Sequence, residues 1–315
     1  MRFLVLGAGA IGGYYGGRLI ESGADVTFLV RERRARQLAE RGLVIKSPLG
    51  NIARDVKTVR AEEAREPFDV VLLSCKAYDL DGAIEAIRPT LGPQSAVLPL
   101  LNGISHIATL SERLGAAHVL GGACYIGVTL DAASEIVHMG EMDRLTFGEV
   151  SGERTKRCAA IAAAFTATKV TASLSDDIVQ AMWEKFVMLA SLAAATTLTR
   201  ANVGEIMAAR SGEWLMLSVL GEVERIAVAE GHPPAPEALE RTRKMLTAKG
   251  STFSASMMRD MIAGGPTEAD HIIGDLVRRA EKRAIAVPLL RVALANLQVH
   301  EARRQTSPSA TRAPH

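Results

Sequence analysis

Cysteine, aromatic residues and net charge are all scarce in this chain, and each scarcity removes a class of function. Its three cysteines, Cys75, Cys124 and Cys158, are odd in number, widely scattered and outside any C-x-x-C spacing. That argues against a disulfide framework and against a thiolate metal site, and a reducing cytoplasm is the expected setting. Aromatic residues make up 4% of the chain and the formal net charge is +2. There are few platforms on which bases could stack and no basic excess to draw in a phosphate backbone, so nucleic acid is not an expected partner. The most apolar long run, Phe186 to Leu198, is shorter than a membrane span and is interrupted by Ser191, Thr196 and Thr197. It reads as a buried helix, and no membrane partner is expected. What remains is an ordinary soluble globular composition, 48% apolar over 315 residues, with room for two domains.

The informative stretch is Arg2 to Arg18, RFLVLGAGAIGGYYGGR. Phe3 to Leu6 suit a central parallel strand, and Gly7, Gly9 and Gly12 follow in the G-x-G-x-x-G spacing. The first glycine permits a tight turn, the second lets a pyrophosphate approach the backbone, and the third allows close packing of helix on strand. The start of the following helix offers N–H groups to the anion. Gly7, Ala8, Gly9, Ala10, Ile11 and Gly12 are therefore candidate cofactor-binding residues. Met1-Arg2 and GAGA also mimic a secretory leader, but the glycine fingerprint accounts for the same residues better. Asp25 to Val30 reads as a second parallel strand, with Arg31 at its end. An acidic side chain about twenty residues past the fingerprint would hold the ribose 2′-hydroxyl of NAD, whereas an Arg accommodates the extra phosphate of NADP. Arg31 thus favours NADPH. The alternative is a solvated basic turn, and Glu32 keeps NAD in play.

Farther along, Gly42 to Val59 reads as a peripheral β-excursion, and Phe68 to Ser74 as a buried strand that delivers Lys76 to the cofactor edge. Position alone also permits Lys76 to be a surface lysine. Ser95 to Leu101 delivers Asn102-Gly103 to the same edge, where Asn102 could bond substrate or nicotinamide or simply begin an N-G turn. Segments at Val119 to Cys124, Ile126 to Leu130, Glu135 to Met139 and Arg144 to Gly148 are expected to complete the sheet. A helix at Lys156 to Thr168 and a strand at Val170 to Ser173 follow. From Asp176 to His300 the pattern is helical, with breaks near Gly204, Gly231 to Pro236, Gly250 and Gly264 to Pro266.

The expected architecture is α/β, a Rossmann-type doubly wound parallel sheet over residues 1–174, followed by an all-helical domain over 175–305. A polar tail at 306–315 reads as disordered. In the helical part Lys185 is surrounded by Met182, Trp183, Phe186, Val187, Met188 and Leu189. A lysine there is costly unless it reaches a cleft, and partial desolvation lowers an ammonium pKa, which suits proton donation to an alkoxide. The alternative is a lysine snorkelling to the surface beside Glu184. Ser256 could be a polar position on a helix. Glu268 falls within a Thr267 to Asp270 capping-box pattern, where it could simply complement the helix dipole.

Taken together these residues resemble the ketopantoate reductase (2-dehydropantoate 2-reductase) family over all but the tail. The family's GAGAIG matches Gly7 to Gly12, its post-strand lysine Lys76, and its N-G Asn102-Gly103. Its tryptophan-x-lysine matches Trp183 and Lys185, and its serine-methionine and later P-T-E match Ser256-Met257 and Pro266-Thr267-Glu268. The resemblance implies NADPH-dependent reduction of 2-dehydropantoate to pantoate, on the route to pantothenate. It makes Lys185 the general acid and Ser256 and Glu268 substrate ligands, with Asn102 beside them. The chain departs from the family where asparagines usually stand four and eight residues after the lysine, which here are Leu189 and Ala193. Hydrogen bonds to charged groups contribute about 1.5–3 kcal/mol each. Either Thr196 or another side chain compensates, or the substrate is a different and less polar keto or hydroxy acid. A protein that senses NADPH without turnover is the remaining alternative. The expected assembly is a homodimer.

Overall fold

The computed structural model describes residues 1–306, so the tail expected to be disordered lies, beyond Thr306, outside the described residues. The chain divides into two compact units, Met1–Met182 and the part from Trp183 onward. The first unit runs β1 (Arg2–Leu6), α1 (Ala10–Glu21), β2 (Asp25–Leu29), α2 (Glu32–Arg41), β3 (Leu43–Lys46), β4 (Ile52–Arg54), β5 (Lys57–Val59) and β6 (Phe68–Leu73). It continues through α3 (Leu80–Ile87), β7 (Leu91–Pro99), α4 (Ser105–Leu114), β8 (Leu120–Leu130), β9 (Ile136–Glu149), α5 (Lys156–Thr166) and β10 (Thr171–Leu174).

Five strands form a parallel sheet in the order β5-β2-β1-β6-β7. Apart from Arg2 and Asp69 its central strands β1 and β6 are apolar because both faces are covered: Phe3, Val5 and Leu72 enter one core, and Leu4, Leu6 and Leu73 the other. Each such side chain contributes about 1.5–3 kcal/mol by burial. α1 lies between two sheets and is thinned by glycine to fit. A Cβ on Gly16 would press into the Phe28 ring, and one on Gly17 would meet Leu43 and Ile45. Tyr14 on the same helix donates to Asp143 Oδ2 at 2.7 Å. Burial, reinforced by that carboxylate, pushes its phenol up to about 12.

Two expectations are corrected here. The strands after β7 do not complete the parallel sheet; with β3 and β4 they build a second one, ordered β10-β9-β3-β4 with β8 on β9. β8 pairs antiparallel with β9 from Leu120↔Glu149 to Leu130↔Ile136, and only the bridge Val97↔Val119 precedes it at the β7 edge. Nor is the excursion at Gly42 to Val59 peripheral, since β5 closes the outer edge of the main sheet and β3 joins β9 in the second. β9 ends in a clamp. Glu149, 7% exposed, accepts from Arg157 Nε (2.7 Å) and Nη2 (2.6 Å) and from Thr155 Oγ1 (2.6 Å). Burial alone would push its carboxyl up; the Arg157 guanidinium, helped by Thr155 and Cys158, more than reverses this and holds it below its ordinary value.

The helical part comprises α6 (Ile178–Thr199), α7 (Val203–Ala208), α8 (Gly212–Ala229), α9 (Pro236–Leu246), α10 (Ser256–Ile262), α11 (Asp275–Lys282) and α12 (Pro288–Thr306). A π-helical turn, Asp270–Gly274, leads into α11. α6 is long and apolar enough to cross a membrane by length and composition, and 67% of its apolar window is buried inside the fold, as a core helix is. The division between the two units falls within it. The break expected near Gly204 lies just upstream, where Arg200 takes φ +54° and Asn202 with Glu205 forms a reciprocal capping box for α7.

Candidate active site

The sheet order reverses between β1 and β6, and in open α/β sheets ligands bind in the crevice at such a switch point, outside the strand C-termini. The loops that follow β1 and β6 meet there. Gly7 takes φ +91°, and its N–H donates to Leu29 O at 3.0 Å, turning the chain away from β1. Gly9 precedes α1 with extended backbone; no side chain caps this helix and no acidic residue occupies its first turn. A Cβ on Gly9 would meet nothing within 4 Å, so the backbone there is open to an anion. These features fit the pyrophosphate of the dinucleotide that the fingerprint implies.

Gly12 is closed in instead: a Cβ there would collide with Ser74 Oγ and the Gly7 carbonyl oxygen. Ser74, at the end of β6, donates to Leu6 O at 2.8 Å and so ties the two loops together. Gly12→Ala is expected to weaken dinucleotide binding at least about tenfold and to cost about 1–3 kcal/mol by overpacking. Adding Ser74→Gly should not restore binding, because the Gly7 carbonyl is backbone and cannot yield. A cofactor titration with a melting curve checks both.

Arg31 caps α2 from extended backbone just past β2. Its Nη2 donates to Asp79 Oδ1 at 2.9 Å, between side chains that are 65% and 39% exposed. Lys76 is half-buried and precedes the 3-10 turn Ala77–Asp79, so it stands at the same edge. Asn102 is half-buried beyond β7, and Gly103 after it takes φ +85°. Gly7 to Gly12, Arg31, Lys76 and Asn102 thus all follow C-terminal ends of the parallel strands. Two contributors were not singled out from the sequence. One is Ser74; the other is Arg34, whose Nε donates to Ala8 O at 3.0 Å and whose Nη1 reaches Ser134 O at 3.1 Å. A serine closing an apolar strand and a third arginine after β2 were the available signals.

In the second unit Lys185 is 8% exposed on α6, between buried Trp183, Phe186 and Val187. It does not extend to the surface beside Glu184, which instead accepts from Ala235 N at 3.1 Å. Trp183 is held by a stacked His232 ring at 5.5 Å and by the Arg279 guanidinium 5.4 Å from its centroid. Ser256 is the first residue of α10 and is half-buried. Glu268 is buried immediately before the π-helical turn, a local geometry frequent at functional sites. The capping box expected from Thr267 to Asp270 does not form. Thr267 donates its N–H and hydroxyl to Glu301 Oε1, at 2.8 and 2.7 Å, and Asp270 accepts from Arg278.

Leu189 is half-buried and Ala193 fully buried, so neither position offers a donor. Thr196 does not replace them, for its hydroxyl donates to Leu192 O at 2.7 Å. Ser191 and Thr197 are likewise spent on Val187 O and Ala193 O.

A glycine loop at the switch point of a parallel sheet, followed by an all-helical unit with a buried lysine, defines a two-part NAD(P)-dependent oxidoreductase. The chain belongs to the ketopantoate reductase family. Residues 3–152 match the family model "Ketopantoate reductase PanE/ApbA" and residues 177–301 its C-terminal counterpart. It is 40% identical to "Uncharacterized oxidoreductase YkpB" of Bacillus subtilis, over 96% of this chain and 100% of that one. It is 30% identical to the 2-dehydropantoate 2-reductase of Halobacterium salinarum, over 92% of this chain and 96% of that one. Among solved structures, the PanE/ApbA family ketopantoate reductase from Ralstonia eutropha superposes with a TM-score of 0.88 at 27% identity, covering 97% of this chain and 100% of that one.

Proposed function

We propose that this enzyme reduces a 2-oxo acid to the 2-hydroxy acid with NADPH, the substrate being 2-dehydropantoate or a close, less polar relative. The observation that carries the reading is the near-complete burial of Lys185 among apolar side chains of α6. Partial desolvation suits an ammonium to proton donation, and a carbonyl oxygen becoming an alkoxide is the acceptor that calls for it. Gly7 to Gly12 hold the pyrophosphate, Arg31 the 2′-phosphate, and Lys76 and Asn102 the nicotinamide half. Bound there, reduced nicotinamide supplies hydride to the carbonyl carbon. Lys185 Nζ gives its proton to the oxygen as that bond becomes an alkoxide, while Asn102, Ser256 and Glu268 orient the substrate. The working form is a cytoplasmic homodimer, which sedimentation velocity would test. NADPH oxidation across a panel of 2-oxo acids tests the activity; no turnover with any of them would leave a nucleotide-binding sensor.

Leu189 and Ala193, together with the hydroxyls spent on their own helix, favour the less polar substrate and with it a role outside pantothenate synthesis. A site that has lost two hydrogen-bonding groups rejects a deoxy analogue less strongly. Ketopantoate should therefore be no more than about tenfold preferred over 2-oxo-3-methylbutanoate in kcat/KM. Leu189→Asn should raise that ratio; Ala193 is too enclosed for the same exchange without overpacking. A thousandfold preference in the unmodified enzyme would restore the plain ketopantoate assignment.

A further inference from the structure

Arg31 and Asp79 come from different loops at the cofactor edge, one following β2 and the other ending the 3-10 turn after β6. Two neighbouring charges are engaged elsewhere. Glu32, next to Arg31 in the chain, accepts from Arg36 Nε at 2.7 Å and from Arg60 Nη1 at 3.1 Å. Arg34 is drawn inward to the Ala8 and Ser134 carbonyls. Asp79 accepts from the Arg31 guanidinium at 2.9 Å, across two solvent-accessible side chains. A carboxylate on that guanidinium occupies a donor that a 2′-phosphate would use.

We propose that Asp79 is a specificity-determining residue, an internal anion that competes with the 2′-phosphate of NADP for Arg31 and thereby narrows the preference over NAD. This rests on the reading of Arg31 given above. The physical argument is one of charge. A phosphomonoester brings about −1.5 to −2 units, so it must displace Asp79 from Arg31 and then sit near its negative charge. A ribose 2′-hydroxyl meets no such repulsion, and a carboxylate at this edge is the acceptor that NAD-binding folds use for it. Because the pair is exposed, displacement costs little. Asp79 therefore sets the ratio of affinities without preventing NADP from binding.

The experiment uses the full-length protein and measures dissociation constants by calorimetry for 2′,5′-ADP and 5′-AMP, two fragments that differ in the 2′-phosphate, and for NADPH and NADH. Asp79→Asn keeps the shape and removes the charge. It is expected to raise the preference for the 2′-phosphorylated member of each pair by about fivefold, the size of one screened charge contact, and less at high salt. In an Arg31→Ala background the same substitution should change that preference less than about twofold, since the group it competes for is gone. A merely structural role for Asp79 would move both ligands of a pair together and would persist without Arg31. An unchanged preference in Asp79→Asn, in a protein whose preference falls on Arg31→Ala, overturns the role of Asp79 and leaves the NADPH reading intact. No preference in the unmodified protein, unaltered by Arg31→Ala, overturns both.

Discussion

Lys185→Ala is expected to lower kcat by roughly 10²- to 10⁴-fold, the usual value of general-acid assistance, while the NADPH dissociation constant stays within about twofold. The two readouts separate because, in the proposed mechanism, the proton is needed only as the carbonyl oxygen acquires charge, whereas the proposed dinucleotide site is the glycine loop and the strand ends of the first unit. Lys185→Arg sharpens the test. It keeps the positive charge, but a guanidinium does not give up its proton in the accessible pH range, so turnover should remain low. Unchanged turnover in Lys185→Ala would reduce the lysine to a structural residue and remove the mechanism.

The other large effect concerns stability. Arg157→Ala strands the Glu149 carboxylate, 7% exposed, without the 28% exposed guanidinium that neutralises it. Removing one member of a buried pair costs about 3–5 kcal/mol. The sign with pH follows from the direction of the shift. In the unmodified protein the folded-state pKa of Glu149 is depressed, so the clamp contributes stability above the unfolded carboxyl's value and loses it as pH falls through the folded value. In Arg157→Ala desolvation is opposed only by the hydrogen bonds from Thr155 and Cys158, so the folded value rises, and the penalty is largest at neutral pH and fades as the carboxyl protonates. Urea unfolding and amide exchange in β9, at about pH 7 and about pH 4.5, should therefore show the difference from the parent shrinking in acid. A difference independent of pH would mean that the packing of the arginine stem, and not its charge, matters.

Much of the nucleotide-binding half was legible because its signals are local. An apolar run, three glycines and a helix start follow one another within Phe3 to Leu19, and the runs at Phe68 and Ser95 repeat the pattern of a strand covered on both faces. The second sheet was not, for the same physical reason in reverse. β8 and β9 carry alternating patterns that would suit either sheet, and what decides is the backbone pairing from Leu120↔Glu149 onward, which no short window contains. The short polar strand β5, Lys57–Val59, joins the main sheet through β2 with no apolar run to announce it. Thr267 illustrates the limit at a single residue. Its spacing to Asp270 suits a capping box, yet a carboxylate from Glu301, on α12, takes both of its donors. The candidate cofactor residues Arg31, Lys76 and Asn102 could be assigned to strand ends from sequence, but the ion pair of Arg31 with Asp79 joins loops far apart in the chain.

The place where the two units divide has a consequence for anyone who would recombine this enzyme with a relative. The seam is not a linker but the interior of α6, whose opening residues Ile178 and Met182 belong to the apolar cluster around Ala123 and lie against Gly121 of the first unit, with Lys185 less than one turn further on. A crossover between Met182 and Trp183 would splice two helical halves selected in different company, with no loop to absorb a mismatch in phase. Chimaeras should therefore be joined upstream, in the turn between β10 and α6, and because that joint takes Gly121 from one parent and Ile178 and Met182 from the other, the parents should match at these three positions.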